Sequence, residues 1–208
     1  WDTTAPEITL VPLSPDPTNN PTPSFTGTTT DALLNISTVE YQLDGGAWTA
    51  CTATDGSFNS LSENYTCTIS PALSSGTYTI SVRSSDALGN ISTIVSDTFT
   101  VDLDGPYVYP MADREEKAEF FQDAATERAT SWQWSYTGAG IINFGSPNAE
   151  DTTIAADHDG SYTITLTAYD DFSRSASASF NLIWDTTAPE ITLVPLSPDP
   201  TNNPTPSF

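Results

Sequence analysis

Short stretches in which apolar and polar residues alternate recur along the whole chain. Tyr78, Ile80 and Val82, for example, are separated by single polar residues, so an extended backbone would turn one face to a core and the other to water. Residues 112–121 (ADREEKAEFF) depart from this pattern and fit a short helix as well as a strand. The pattern therefore predicts an all-β protein, with residues 112–121 open to either structure.

The first part of the chain has the strand count of an immunoglobulin-like β-sandwich. About seven antiparallel strands in about 100 residues are typical of that fold, which we predict for residues 1–101. Asp44-Gly45-Gly46 is a strong hairpin turn between two of the strands. The predicted strands are 7–13, 24–28, 36–43, 47–51, 65–69, 77–84 and 94–101.

A second immunoglobulin-like sandwich is predicted for residues 102–183. Trp132 and Trp134 are two positions apart and face the same side of their strand, where one of them should fill the core. The predicted strands are 107–111, 118–122, 131–136, 141–144, 152–155, 162–169 and 176–183.

A long segment occurs twice. The 25 residues Trp1–Phe25 recur without a change as Trp184–Phe208. Identity over this length does not arise from convergent strand patterns, so we expect one period of a tandem array and, at residues 184–208, the first strand of the next period. We also expect the chain to be a segment of a longer protein.

Acidic residues dominate the charge. The chain has 27 Asp and Glu against five Lys and Arg, for a net charge of −22. Such a surface repels nucleic acids and anionic membranes, so we expect neither nucleic-acid binding nor membrane insertion of this segment. The acids either form a solvated exterior or include clusters that a divalent cation neutralises.

The two cysteines, Cys51 and Cys67, are 16 residues apart and lack the spacing of a metal site. An even number of cysteines in a chain rich in Thr and Ser predicts one disulfide bond and an exported protein. Two free buried thiols are the alternative.

Three motifs in the first domain resemble the bacterial immunoglobulin-like repeats of large surface adhesins. They are DTTAP at Asp2–Pro6, YQLDGG at Tyr41–Gly46 and GTYTISVRSSDALGN at Gly76–Asn90. The second domain resembles the PKD type, through WQW at Trp132–Trp134 and DGSYTITLTAYDD at Asp159–Asp171. The resemblance implies a cell-surface stalk or fibre, which in such proteins is often stiffened by calcium between modules.

Sandwich topology gathers several acids at one pole of the first domain. The segment before the first strand, the loop between the second and third strands and the loop between the last two strands all lie there, and they carry Asp2, Asp31, Asp86 and Asn90. Ca²⁺ prefers six to eight oxygen ligands, so we predict a calcium site at this pole. The alternative for each acid is a turn-forming role in a solvated loop.

The same reasoning predicts a calcium site at the start of the second domain. It would combine Asp102 and Asp104 of the linker with Asp123 or Glu127 of an early loop and with Asp170 and Asp171 of a later loop. Asp185 would begin the corresponding site of the next period.

Residue patterns of enzymes are absent from the sequence. It contains no nucleophile elbow, phosphate-binding loop or zinc-protease motif, and its one histidine, His158, lies in a turn before a strand. We therefore predict a non-enzymatic extracellular repeat segment of a bacterial surface adhesin, stalk or fibre. Its expected partners are neighbouring copies of the repeat and a host or cell-surface glycan or protein.

Two other functions are compatible with the sequence. One is a self-assembling filament or a sheath or surface-layer subunit, in which residues 184–208 complete the sheet of a neighbouring chain by strand addition. The other is an accessory carbohydrate-binding module of a secreted enzyme, for which Trp48, Trp132 and Tyr136 are the candidate aromatic platform.

Overall fold

A computed structural model describes residues 2–138 and 140–194. The chain forms two compact units, of which the first ends at Asp104 and the second begins at Gly105. Every regular element in the described residues is a β-strand, and none of these residues forms a helix long and apolar enough to cross a lipid bilayer. The prediction of an all-β protein is confirmed.

The first unit is a sandwich of two four-stranded sheets, with the strand orders β1-β2-β6-β5 and β4-β3-β7-β8. Side chains alternate between the core and water, so that β2 buries Phe25 while β7 buries Ile80 and Val82. The strands are β1 (Glu7–Ile8), β2 (Ser24–Thr30), β3 (Ile36–Leu43), β4 (Thr49–Ala50), β5 (Thr52–Ala53), β6 (Ser62–Thr68), β7 (Gly76–Asp86) and β8 (Val95–Val101).

The predicted disulfide bond joins Cys51 and Cys67. Cys67 lies in β6, and Cys51 lies between β4 and β5, where the chain passes from one sheet to the other. Both residues are buried in the core of the first unit. The bond therefore fastens the crossing between the two sheets, and the alternative of two free thiols is wrong.

The described residues of the second unit form three sheets, with the orders β10-β17-β16-β13, β11-β15-β14 and β12-β9. Trp134 fills its core, as expected for one of the two tryptophans, while Trp132 is half-buried. The strands are β9 (Tyr107–Val108), β10 (Arg114–Glu116), β11 (Phe120–Gln122), β12 (Thr126–Glu127), β13 (Ser131–Gly138), β14 (Ile142–Phe144), β15 (Thr152–Ala156), β16 (Gly160–Tyr169) and β17 (Ser175–Trp184).

Residues 112–121 contain strands and no helix. β10 runs parallel to β17, with Arg114 opposite Leu182, and β11 begins at Phe120. The edge of β17 offers unpaired backbone groups to this segment, whereas a helix would satisfy its own and leave those of β17 open. The helical alternative is wrong for this reason.

The last strand of the second unit extends into the repeated segment. β17 ends at Trp184, whose side chain is 5% exposed and belongs to the core of the second unit. The first residue of the duplicated sequence is thus part of the preceding unit, and the segment that follows it starts at Asp185.

Candidate cation site in the first unit

Three aspartates converge at one pole of the first sandwich. Asp2, Asp31 and Asp86 each place one carboxylate oxygen within 4.8 Å of the other two. This is the one group of three acidic side chains with metal-ligand spacing found among residues 2–138 and 140–194. The convergence that the topology predicted for these three residues is present in the structure.

Two of the three aspartates, Asp31 and Asp86, come from strands of opposite sheets. Asp31 directly follows β2 and Asp86 is the last residue of β7, so each lies two positions beyond a buried polar residue on the same inner face. Those two residues, Thr29 and Ser84, bond to each other between the sheets, with Thr29 Oγ1 donating to Ser84 Oγ at 2.8 Å. The interior therefore changes from apolar to polar toward this pole.

Asp31 is held by backbone amides and keeps one oxygen without a partner. Asp31 as a whole is 8% exposed, and its Oδ1 accepts hydrogen bonds from the N–H groups of Leu33 at 2.8 Å and Leu34 at 2.9 Å. Its Oδ2 is buried and has no hydrogen-bond partner. A buried carboxylate oxygen without a hydrogen bond is costly, and a bound cation would offset that cost.

Asp2 repeats this arrangement. Its Oδ1 accepts the N–H of Thr4 at 2.9 Å, while its Oδ2 is buried and has no hydrogen-bond partner. Two carboxylate oxygens without partners thus lie in one cluster of three acids. A cation would satisfy both of them, whereas a further hydrogen-bond acceptor would not.

Asp86 is the most fully bonded of the three. Its Oδ1 accepts the N–H groups of Leu88 and Asn90, both at 2.9 Å, and its Oδ2 accepts Nδ2 of Asn90 at 2.7 Å. Burial acts to raise the pKa of Asp86, but the hydrogen bonds from Asn90 and from the backbone outweigh it and bring the pKa below its ordinary value of 3.8. Asp86 is therefore ionised at neutral pH.

Asn90 faces the cluster with its amide nitrogen. Nδ2 donates to Asp86 Oδ2 and, at 3.4 Å, to the main-chain oxygen of Asp2. In this arrangement Asn90 holds two of the acids in place instead of presenting the oxygen ligand that the sequence suggested. Sequence reasoning places Asn90 at the pole but does not decide which of its amide atoms faces inward.

The acids of the second predicted site belong to different units, Asp102 and Asp104 to the first and Asp170 and Asp171 to the second. Asp170 already has a cationic partner, since its Oδ2 accepts Arg174 Nε at 2.6 Å. Its Oδ1 also accepts the Arg174 N–H at 2.9 Å. A calcium site drawn from these acids stays a prediction.

Asp185 repeats the local structure of Asp2. Its Oδ1 accepts the N–H of Thr187 at 2.9 Å, just as Asp2 Oδ1 accepts the N–H of Thr4. Asp159 holds the two threonines that follow, because Oδ1 accepts Thr186 N at 2.9 Å and Oδ2 accepts Thr187 Oγ1 at 2.5 Å. The segment after Trp184 is therefore fixed to the second unit by side-chain contacts.

The three aromatic residues proposed as a sugar platform pack against their own unit. Trp48, Trp132 and Tyr136 are all half-buried. The guanidinium carbon of Arg83 lies 4.0 Å from the ring centre of Trp48, and Trp132 Nε1 donates to Thr126 Oγ1 at 3.1 Å. These contacts give each tryptophan a structural role.

Comparison with known families identifies the first unit. A family model described as "Bacterial Ig-like domain" matches residues 14–103, a range that includes Asp31, Asp86 and Asn90. The resemblance of the first domain to bacterial immunoglobulin-like repeats is confirmed, and this part of the chain is a bacterial Ig-like domain. No curated protein matches the chain.

Solved structures similar to this chain include several multi-domain proteins. The fibronectin(III)-like modules of CbhA from Clostridium thermocellum are 13% identical, with 86% of this chain and 94% of theirs covered and a TM-score of 0.34. The D00-D0 domain of intimin is 14% identical, with 86% and 100% covered and a TM-score of 0.36.

Dimeric latent PorU from Porphyromonas gingivalis is 16% identical over 88% of this chain, which spans 21% of PorU, with a TM-score of 0.38.

Proposed function

We propose that this chain is a non-enzymatic extracellular repeat segment of a bacterial surface adhesin, stalk or fibre, and that its first unit binds Ca²⁺ between Asp2, Asp31 and Asp86. The bacterial Ig-like domain and the disulfide bond support a surface location, because disulfides persist in oxidising compartments. Ig-like domain families are generally non-catalytic, which agrees with the lack of enzyme motifs in the sequence.

The pair of buried carboxylate oxygens without partners carries the calcium proposal. Asp2, Asp31 and Asp86 would supply three of the six to eight oxygens that Ca²⁺ takes, with water and backbone carbonyls completing the shell. Their oxygen-only donor set suits a hard cation and does not suit zinc, which favours nitrogen and sulfur ligands.

The origin of the three ligands explains how an ion would stiffen the repeat. Asp31 follows a strand of one sheet, Asp86 ends a strand of the other, and Asp2 lies in the segment before β1. One ion bound to all three would tie that segment to both sheets at once. A tethered segment has fewer conformations, and a stalk built of such units bends less.

Calcium binding to the full chain is measured by equilibrium dialysis. We expect Asp31→Asn to bind one calcium ion fewer than the wild type, because the amide keeps the Oδ1 contacts to Leu33 and Leu34 but loses the charged second oxygen. Asp55→Asn is the matched control, since Asp55 is an exposed turn residue of the same unit. Equal stoichiometry for Asp31→Asn and the wild type would rule out this site.

The surface location has its own test. Antibodies raised against the chain should label intact cells of the source bacterium, and mild external proteolysis should remove the signal. Labelling that appears only after the cells are permeabilised would contradict the extracellular assignment while leaving the cation site untouched.

A further inference from the structure

Two tyrosines of the second unit hold their rings in water. Tyr107 and Tyr109 are 45% and 43% exposed, whereas Val108 between them is buried in the core. Side chains alternate along an extended segment, so both rings lie on the outer side of the unit. Their ring centres are 5.0 Å apart and their planes are at 88°, which makes an edge-to-face pair. We call this exposed pair the tyrosine corner.

Hydrogen bonds hold the tyrosine corner in place. In the pairing of β9 with β12, Tyr107 lies opposite Glu127. The N–H of Tyr109 donates to the oxygen of Ala125 at 3.0 Å. The hydroxyl of Tyr109 donates to Oε1 of Glu127, and this bond raises the pKa of Tyr109 above its ordinary value of 10. The corner is therefore ordered before any ligand binds, which lowers the entropic cost of binding.

Arg128, the residue after Glu127, has an unusual backbone conformation. Its φ angle is 55°, in the left-handed region that an arginine rarely adopts. Its Nε donates to the oxygen of Gly105 at 3.0 Å, and its Nη1 lies 3.5 Å from Oε2 of Glu127. The side chains of Glu127 and Arg128 are 48% and 50% exposed, so both reach solvent. Backbone strain of this kind clusters at functional sites, and here it sets a guanidinium beside the carboxylate that bonds to Tyr109.

We propose that the tyrosine corner, together with Glu127 and Arg128, binds a neutral oligosaccharide. A sugar ring has an apolar face of C–H groups, which stacks on an aromatic ring, and it carries hydroxyl groups around its edge. Glu127 accepts hydrogen bonds from such hydroxyls and Arg128 donates hydrogen bonds to them. The four side chains therefore supply a stacking surface, an acceptor and a donor in one exposed cluster.

Charge and ring geometry narrow the class of glycan. With a net charge of −22, the chain repels glycans that carry sialic acid, sulfate or uronic acid, whereas a neutral sugar is not affected. A flat crystalline polysaccharide needs coplanar aromatic rings, whereas two perpendicular rings contact one sugar residue from two sides. We therefore expect binding to soluble neutral oligosaccharides through a single sugar residue.

The sugar site lies in the second unit and shares no residue with the cation site of the first unit. As the partner of a surface adhesin, the glycan rests on the proposed function, whereas the binding itself is measured in vitro with a chelator present. Failure to bind sugar would therefore leave calcium binding and the extracellular assignment unaffected.

An array of immobilised oligosaccharides tests the proposal with the full chain, biotinylated and displayed on streptavidin so that weak single contacts add up. The probes are neutral oligosaccharides of glucose, galactose, mannose and N-acetylglucosamine, each with a matched copy that carries sialic acid or sulfate. We expect binding to at least one neutral probe and weaker binding to its charged copy. No binding to any neutral probe, or equal or stronger binding to the charged copies, would overturn the proposal.

Single substitutions then locate the site by calorimetric titration with the neutral probe that binds most strongly. Tyr107→Ala should weaken binding roughly tenfold or more, because it removes a stacking surface. Tyr109→Phe should weaken binding less, since the ring stays and only the hydroxyl bond to Glu127 is lost. Phe121→Ala is the matched control, because Phe121 is 59% exposed in another sheet of the same unit. Unchanged affinity of Tyr107→Ala would overturn the proposal.

Arg128→Gly separates a binding role of the arginine from a structural one. Glycine adopts the left-handed region without strain, so the second unit should unfold at about the same temperature as in the wild type. The same variant should bind the sugar more weakly, because the guanidinium donor is gone. A lower unfolding temperature with unchanged affinity would overturn the assignment of Arg128 to the sugar site.

Discussion

Saturating calcium should raise the unfolding temperature of the first unit by roughly 10–20 °C, and Asp31→Asn should abolish the rise. An ion at one hundred times its dissociation constant stabilises the state that binds it by about 2.7 kcal/mol. For a unit of about 100 residues, each kcal/mol moves the unfolding midpoint by about 4–8 °C. Differential scanning calorimetry with calcium and with a chelator measures this shift.

The two conditions should move Asp31→Asn in opposite directions relative to the wild type. With chelator present, the variant should be at least as stable as the wild type, because it removes one of three neighbouring negative charges and a buried oxygen without a partner. With calcium present, it should be the less stable protein, because it has lost a ligand. The exposed-site control Asp55→Asn should follow the wild type in both conditions. An equal calcium shift in Asp31→Asn and the wild type would show that the ion acts elsewhere.

Loss of the Cys51–Cys67 bond should lower the stability of the first unit by about 3 kcal/mol, which corresponds to roughly 12–24 °C in its midpoint. The bond closes a loop of sequence separation 16, and without it the unfolded chain gains conformational freedom. The double variant Cys51→Ala, Cys67→Ala removes it without leaving a single reactive thiol. Its unfolding midpoint, compared with that of the oxidised wild type by calorimetry, measures the effect.

Reductant provides the control for this prediction. It should lower the midpoint of the wild type toward that of the double variant and leave the double variant unchanged. The second unit contains no cysteine, so its own unfolding transition should not respond. If the wild type is insensitive to reductant after the thiols are shown to be free, the bond contributes little and the core alone stabilises the sandwich.

The local pattern of apolar and polar residues was sufficient to predict most of the fold. Alternation along a strand depends on residues two positions apart, which a sequence shows directly, and so the strand Ile36–Leu43 coincides with its prediction. The even number of cysteines predicted the disulfide bond, because this number can be read directly from the sequence. Residues 112–121 were ambiguous because their structure depends on a partner distant in sequence, the edge of β17.

The sequence likewise predicted one part of the candidate site and left another part undecided. The order of strands in a sandwich was enough to bring Asp2, Asp31 and Asp86 to one pole. Hydrogen bonding decided the rest: Asn90 turns its nitrogen toward the acids, and Asp170 is paired with Arg174. Each outcome depends on which atoms lie within 3 Å after folding, and spacing along the chain does not encode that distance.

The sequence by itself determined that Trp1–Phe25 returns as Trp184–Phe208, and it predicted an all-β chain with one disulfide bond, both of which the structure confirms. These features follow from the alternation of apolar and polar residues, from the number of cysteines and from the identity of two segments of the sequence. Only the tertiary structure decided that Asp2 and Asp31 keep a buried oxygen without a partner, and that residues 112–121 form strands. Burial and hydrogen-bond pairing depend on neighbours in space, which the order of residues along the chain does not show.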